Sequence, residues 1–267
     1  QLAKIERMTS LRTLTRIQSR LILNLKRESG FDVLKIENLA VKFDEILFKN
    51  IDIDIKKQER IALVGDNGVG KTTLFKTILD QLNAYQGKIK FGSKVDLAYY
   101  DQEHSTLAMD KTIFNEISDN FPKMTNTEIR NSLALFNFKG DDVFKEISLL
   151  SGGEKGRVVL TEILLKQANL LILDEPTNHL DIASKEVLED ALNQFEGTIF
   201  FISHDRYFIN KVATRVIELT STKAISYDGN YDTYLNHKSV AKPLKKENVD
   251  YLDMKQQNAL YRKQQNK

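Results

Sequence analysis

The stretch that decides the fold of this chain reads Gly65-Asp66-Asn67-Gly68-Val69-Gly70-Lys71-Thr72. Its glycines follow the P-loop pattern, in which successive backbone N–H groups can surround a phosphate. Lys71 is suited to neutralise charge at the β- and γ-phosphates, and Thr72 offers a hydroxyl group to Mg²⁺. A strand is predicted before the stretch at Arg60–Val64 and a helix after it at Thr73–Leu82, which is the context that the motif requires. The stretch therefore predicts a phosphate site between a strand and the N-terminus of a helix.

Two more buried strands are predicted downstream. Leu170–Leu173 is continuously apolar, as parallel strands tend to be, and Thr198–Ile202 ends directly before Ser203-His204-Asp205. Before these strands, Thr112–Leu149 is interpreted as an inserted helical subdomain with a capped helix at Thr127–Phe136. The polar candidates thus follow the carboxyl ends of strands, where ligands bind in open α/β sheets. We therefore predict an α/β fold with its site at that edge of the sheet.

Composition limits the class of protein. Hydrophobic residues make up 41% of the chain, enough for a core. No apolar run approaches the roughly twenty residues that cross a bilayer. Cysteine is absent, which excludes disulfide frameworks and thiolate zinc sites. No basic segment followed by an apolar stretch marks a secretory signal. We therefore expect a cytoplasmic protein without a membrane domain.

Charge is distributed unevenly along the chain. The segments 1–30 and 236–267 are rich in Lys and Arg, whereas the body between them is acidic. In the first segment apolar residues recur at intervals of three and four, and Arg12, Arg16 and Arg20 form a separate row, as in an amphipathic helix. Basic arms on an acidic body favour an anionic partner such as RNA. The alternative is that both arms are merely solvated faces.

These patterns divide the chain into three parts. Residues 1–31 are predicted as a helical arm, and a strand at Val33–Leu39 opens a globular domain of residues 32–236. That domain closes with a short helix at Tyr231–His237. Residues 237–267 are predicted as a basic C-terminal extension, either helical or disordered.

Three further motifs carry a resemblance to a known family. The chain contains Leu150-Ser151-Gly152-Gly153-Glu154, then Asp174-Glu175-Pro176-Thr177-Asn178-His179-Leu180-Asp181, then Ser203-His204-Asp205-Arg206-Tyr207-Phe208. Together with the P-loop they resemble the nucleotide-binding domains of the ATP-binding cassette (ABC) superfamily over residues 32–236, and the ABC-F subfamily most closely. The resemblance implies a P-loop NTPase of the ABC type. Its mixed sheet surrounds the P-loop helix, with an inserted helical subdomain at about residues 105–165 and flanking helical arms.

The resemblance also implies a partner. ABC-F proteins have two such domains in tandem, joined by a charged helical linker, and no membrane domain. Residues 1–31 resemble the returning half of that linker, and the chain begins at Gln1 rather than Met, so we expect a C-terminal half. The implied partner is a second ABC domain, either the N-terminal half of the same protein or a second copy of this fragment.

ATP and Mg²⁺ are the implied cofactors, and the resemblance assigns roles to single residues. Glu175 matches the catalytic base, His204 the switch histidine that donates to the γ-phosphate, and Gln102 the Q-loop glutamine that reaches the metal or the attacking water. Thr72, Gln102 and, through water, Asp174 are the implied magnesium ligands. The residues implied in nucleotide binding are Phe43, Asn67, Gly68, Val69, Gly70, Lys71, Thr72, Thr73, Ser151, Gly152, Gly153 and Asp181.

Three of these positions need comment. Phe43 is expected to stack on adenine, with Phe48 nearby as the alternative aromatic residue. Ser151-Gly152-Gly153 precedes a predicted helix at Glu154–Lys166, and the resemblance implies that it contacts the partner domain's ATP, so that both sites are shared. Gln58 stands where relatives commonly carry glycine, which leaves the geometry of that turn open.

Two classes of function fit these features. The first is an ABC-F ATPase acting on the ribosome, either as a translation factor or as a protein that protects the ribosome from an antibiotic. The second is the ATPase motor of an ABC membrane transporter. The row of Arg12, Arg16 and Arg20 favours the first, because such a row can bind RNA phosphates.

Overall fold

A computed structural model describes residues 25–101, 107–178 and 180–241 of the chain. The row of Arg12, Arg16 and Arg20, the Q-loop residue Gln102 and the extension beyond Ala241 lie outside the described residues.

The predicted alternation of strands and helices is observed from Gly152 to Leu219, whereas the domain begins with three consecutive strands and contains a run of consecutive helices before Gly152. The strands are β1 (Asp32–Lys42), β2 (Ile46–Lys56), β3 (Arg60–Val64), β4 (Gln86–Phe91), β5 (Leu97–Tyr100), β6 (Leu170–Asp174), β7 (Thr198–Ile202), β8 (Arg215–Leu219) and β9 (Ala224–Asp228). The α-helices are α1 (Lys71–Ile78), α2 (Ile113–Asn120), α3 (Asn126–Leu135), α4 (Gly152–Leu165), α5 (Ile182–Gln194), α6 (Arg206–Val212) and α7 (Tyr231–Ala241).

The central sheet has the strand order β5-β6-β7-β3-β8-β9. Its neighbours pair in parallel except β8 and β9, which are antiparallel. Every residue of β6 and β7 is buried, because both faces of the sheet are covered. The predicted mixed sheet is confirmed, and the strands predicted at Arg60–Val64 and Thr198–Ile202 have the observed bounds.

Two apolar cores lie on the two faces of this sheet. On one face the antiparallel sheet β2-β1-β4 and helix α1 enclose a core that includes Phe48, Phe75 and Phe200. On the other face the helices α2 to α6 enclose a core that includes Phe136 and Phe201. Helix α1 is therefore held against the central sheet, with its N-terminus following β3.

The P-loop helix differs from its predicted bounds of Thr73–Leu82. It begins earlier, at Lys71, because Gly70 has φ 102° and turns the chain directly into the helix. It ends earlier, at Ile78, since Asp80 takes a left-handed conformation with φ 59°.

Side chains define the helix ends of the inserted subdomain. Thr125 and Glu128 form a capping box at the start of α3, and Ser151 and Glu154 form another at the start of α4. The helices predicted at Thr127–Phe136 and Glu154–Lys166 are thus confirmed, with starts one and two residues earlier. These caps make the entry into α4 a well-defined turn.

The turn between β2 and β3 resolves the question raised by Gln58. Gln58 has φ 65°, in the left-handed region that glycine populates most readily. Its N–H donates to Thr198 Oγ1 at 2.9 Å, which stabilises the turn. The chain therefore keeps the conformation expected for glycine, with a side chain in its place.

Both ends of the described chain are attached to the domain. Arg27 makes two hydrogen bonds of 2.7 Å to the Asp96 carboxylate. At the other end α7 continues past the predicted end at His237, because Lys238 forms an ion pair with Glu218 on β8. The boundary predicted between residues 236 and 237 therefore falls inside a helix.

Candidate functional site

The P-loop opens onto a cavity of about 570 Å³ at the carboxyl ends of β3, β6 and β7. This volume is typical of sites for small molecules. The residues that line it are Phe43, Leu47, Asn67, Gly68, Gly70, Lys71, Thr72, Thr73, Asp174, Glu175, Asn178, Ile202 and His204. The fold thus brings the P-loop together with side chains that follow two other strands.

Backbone conformation explains the glycines of the P-loop. Gly68 and Gly70 have φ 80° and 102°, where glycine carries no steric penalty. A Cβ atom at Gly70 would also lie 2.7 Å from Leu47 Cδ2. The loop therefore requires glycine at residue 70, and it leads into the N-terminus of α1, whose free N–H groups attract anions.

Lys71 is folded over this loop. Its Nζ donates to the carbonyl oxygen of Gly65 at 2.9 Å and to that of Asp66 at 3.1 Å. Burial lowers the pKa of Lys71, whereas the charges of Glu175 and Asp174 oppose this shift. The ammonium group is thus held at the cavity wall, where an anionic phosphate could replace the carbonyl contacts with stronger ones.

Asp174 ends β6 at the base of the cavity. Its side chain is buried, and among the described residues its Oδ1 has no hydrogen-bond partner. Burial raises the pKa of Asp174, and a hydrogen bond with the Thr72 side chain opposes this shift. A buried carboxylate with an unused oxygen is unfavourable by itself. With the Thr72 hydroxyl it forms an oxygen pair of the kind that Mg²⁺ prefers.

Glu175 has a strained backbone, with φ 51°. Its Oε2 accepts a hydrogen bond from the backbone N–H of His204 at 3.1 Å, and its Oε1 lies 3.4 Å from His204 Nε2. Burial raises the pKa of Glu175, while His204 opposes the shift. A carboxylate at the cavity wall whose pKa is raised by burial is suited to act as a proton acceptor.

The two candidate aromatic residues differ in exposure. Phe43 is 60% exposed and lines the cavity, whereas Phe48 is fully buried in the core beneath it. Leu47 also lines the cavity. A flat, exposed ring can stack on a nucleobase.

Some predicted binding residues do not line this cavity. Val69 packs against the core, and Asp181 caps α5 by accepting a hydrogen bond from the Ser184 N–H at 2.7 Å. Ser151 caps α4 at an exposed position, with Gly152 and Gly153 following it. In this chain the Ser151–Gly153 turn is therefore separate from the P-loop cavity.

Three lining residues escaped the sequence interpretation. Leu47 and Ile202 are ordinary apolar strand residues, and no local signal marks them. Asn178 follows Glu175 in a turn, in which its N–H donates to the Glu175 carbonyl at 3.1 Å. Its spacing of three residues from Glu175 was the signal that could have placed it at the cavity.

The fold and the cavity define a P-loop nucleotide-binding domain. Residues 48–178 match the family model described as ABC transporter. The chain therefore contains an ABC ATPase domain, which is an ATP-binding domain.

Curated relatives agree with this assignment. The chain is 46% identical over 227 residues to the "Putative ATP-binding protein YdiF" of Bacillus subtilis, covering 84% of this chain and 35% of that protein. It is 39% identical over 210 residues to "ABC transporter F family member 5" of Arabidopsis thaliana, covering 78% and 30%. It is 38% identical over 215 residues to "Energy-dependent translational throttle protein EttA" of Escherichia coli K12, covering 78% and 39%. The chain thus spans about a third of the length of the curated relatives it matches.

In the part of the chain that the structure describes, no helix combines the length and the apolar character needed to cross a membrane.

Proposed function

We propose that this chain binds ATP together with Mg²⁺ and hydrolyses the bond between the β- and γ-phosphates, with Glu175 as the catalytic base. The observation that carries the proposal is that Lys71, Thr72, Asp174, Glu175 and His204 meet in one cavity. These residues offer a phosphate-binding cation, an oxygen pair for a metal and a proton acceptor, which are the parts that phosphoryl transfer requires.

The residues present fit Mg²⁺. Thr72 and Asp174 would hold it, joined by Gln102, which lies outside the described residues. Bound Mg²⁺ would neutralise charge on the β- and γ-phosphates. Among the described residues no group of three or more His, Cys, Asp or Glu side chains could hold a metal. The remaining ligands would therefore be phosphate oxygens and water, as is usual for Mg²⁺.

The chain's own residues would share the chemical work. Lys71 would neutralise phosphate charge, and its two carbonyl contacts show that the group already points into the loop. Glu175 would orient the attacking water and accept its proton. The His204 ring is 62% exposed beside Glu175, so it is free to donate a hydrogen bond to the γ-phosphate.

A second ABC domain would complete the site. Ser151 and Gly152 are exposed and stand apart from the P-loop cavity, as expected if they contact ATP bound by a partner. That partner would be the N-terminal half of the same protein, with this chain as its C-terminal half, or a second copy of the fragment. The coverage of the relatives, about a third of their length, supports a longer protein.

The biological process we propose is translation. Among the relatives, two Arabidopsis proteins are named as F family members and EttA is named as a translational throttle protein. The basic arms fit RNA as the anionic partner, so the whole protein would act on the ribosome, as a translation factor or in protection from an antibiotic. A transporter motor is the competing outcome.

The test is Glu175→Gln in the whole protein. ATP binding should persist while turnover falls by about a hundredfold or more, because only the proton acceptor is lost. The matched control is Glu196→Gln, an exposed glutamate away from the cavity, which should leave turnover unchanged. The ATP-bound Glu175→Gln protein should then sediment with ribosomes. Near-normal hydrolysis would contradict the role of Glu175, and sedimentation with membranes would favour the transporter motor.

A further inference from the structure

Helices α5 and α6 are joined by an ion pair next to the catalytic cavity. Lys185 Nζ on α5 lies 2.8 Å from Asp205 Oδ2. Asp205 directly follows His204 and is the N-cap residue of α6. A side chain outside the cavity thus reaches the residue adjacent to His204.

The backbone on both sides of His204 depends on this aspartate. The second oxygen of Asp205, Oδ1, accepts hydrogen bonds from the N–H groups of Tyr207 and Phe208 at 3.1 and 3.2 Å. The Asp205 N–H donates to Ser203 Oγ at 3.1 Å, and Ser203 Oγ lies 3.2 Å from Thr177 Oγ1. The turn that carries His204 is therefore held by one connected set of polar contacts.

His204 has few restraints of its own. Its backbone N–H binds Glu175, whereas its ring is 62% exposed and lies 3.4 Å from Glu175 Oε1. The turn around His204 therefore sets where the ring is attached, and no other contact of the described residues than Glu175 restrains it. The contacts of Asp205 therefore bear on the backbone position from which the His204 ring extends.

The position of Lys185 is unusual for a lysine. It lies near the N-terminus of α5, where the helix dipole disfavours a cation. Its side chain is nevertheless 32% exposed and directed at Asp205 rather than at solvent. The contact with Asp205 therefore offsets an unfavourable local placement.

We propose that Lys185 is a positioning residue, which acts through Asp205 to hold the His204 ring at the γ-phosphate. The proposal rests on the proposed function, because it presupposes that His204 contacts the nucleotide. The proposed role of Lys185 differs from that of an ion pair that only joins two helices, and the chain contains such an ion pair for comparison. Lys211 Nζ on α6 lies 3.7 Å from Glu189 Oε2 on α5, joining the same helices without touching Asp205.

Four variants of the whole protein test this. Lys185→Met removes the charge and keeps the aliphatic stem, Lys185→Arg keeps the charge, Lys211→Met removes the comparison pair, and His204→Ala removes the ring. Lys185→Met should lower kcat by about tenfold with KM for ATP within about twofold of wild type, since ground-state binding is untouched. Lys185→Arg should restore kcat, and Lys211→Met should not change it. In the His204→Ala background, Lys185→Met should have no further effect, because both changes act through one group.

A second measurement does not depend on hydrolysis. The side-chain ¹H–¹⁵N resonances of His204, assigned with His204→Ala, should shift in Lys185→Met and stay at their wild-type positions in Lys211→Met. Lys185→Gln replaces Lys185→Met if the latter does not fold. His204 resonances that are unchanged without the lysine charge would overturn the proposal, as would kcat losses that add in the double variant. An inactive wild type, or a fully active His204→Ala, would instead overturn the proposed function, and the resonances would still decide the role of Lys185.

Discussion

The carboxyl group of Glu162 is buried between α4 and α2, where it should make stability depend on pH. Glu162 is 6% exposed and its Oε1 accepts a hydrogen bond from Asn120 Nδ2 at 2.9 Å. The same amide lies 3.4 Å from Oε1 of Glu116, which is 3% exposed. Burial raises the pKa of Glu162 to about 7, with the charge of Glu116 adding to the shift and the Asn120 hydrogen bond opposing it.

The size of the effect follows from the two states of this carboxyl group. In the unfolded chain its pKa is 4.5, and in the folded chain it is about 7. Between these values the folded state binds more protons than the unfolded state, so the free energy of unfolding falls as pH rises. The full difference corresponds to about 3 kcal/mol, since one pKa unit is about 1.4 kcal/mol. The stabilising contribution is complete below about pH 4.5 and lost above about pH 7.

The perturbation is Glu162→Gln, which keeps an oxygen for the Asn120 amide and cannot ionise. The free energy of unfolding in urea, measured from pH 5 to pH 8, should change less with pH for this variant than for wild type. At pH 8 the variant should be the more stable of the two. The control is Glu146→Gln, at an exposed position of the same subdomain, which should follow the wild-type profile. Parallel profiles for Glu162→Gln and wild type would refute the reasoning.

Two further predictions concern ligands. Phe43→Ala should weaken ATP binding measured by calorimetry by about tenfold to a hundredfold, because base stacking contributes about 1–3 kcal/mol. Tyr85→Ala removes an equally exposed ring outside the cavity and should leave the affinity for ATP unchanged. Equal affinities of Phe43→Ala and wild type for ATP would exclude stacking on Phe43. Replacing Arg12, Arg16 and Arg20 by glutamine should flatten the salt dependence of ribosome binding by about 0.7–0.9 per lost contact and leave nucleotide affinity unchanged. If the salt dependence of ribosome binding is unchanged, the three arginines belong to a solvated face.

Three strands of the central sheet could be predicted because each carries a local signal, whereas β5, β8 and β9 were not predicted. Apolar runs lead directly into a functional motif in Arg60–Val64, Leu170–Leu173 and Thr198–Ile202, and the structure confirms these strands. Helix ends were predicted less well. The early end of α1 depends on the left-handed Asp80, whose conformation no periodicity in the sequence reveals.

The cavity was predicted only in part, because motifs identify residues and not their neighbours. Spacing favours Phe43 but leaves Phe48 as a nearby alternative, and only the structure shows that Phe43 is exposed and Phe48 buried. The pair of Lys185 and Asp205 joins residues 20 positions apart on two helices. Such a contact depends on how helices pack, and neither residue is unusual in the sequence by itself.

The carboxylates at the end of β6 support the proposed site independently of any motif. A strand that is buried at every residue would be more stable with an apolar end, yet Asp174 places a carboxylate there with an oxygen that has no hydrogen-bond partner among the described residues. Glu175 adds a left-handed backbone that is unfavourable by about 1–3 kcal/mol. Elsewhere in β6 and β7, local pattern and packing agree, so two consecutive violations at one strand end indicate selection for something other than stability. The cavity beside them also contains Lys71, an arrangement that fits the proposed ligand, a nucleotide phosphate bound together with Mg²⁺.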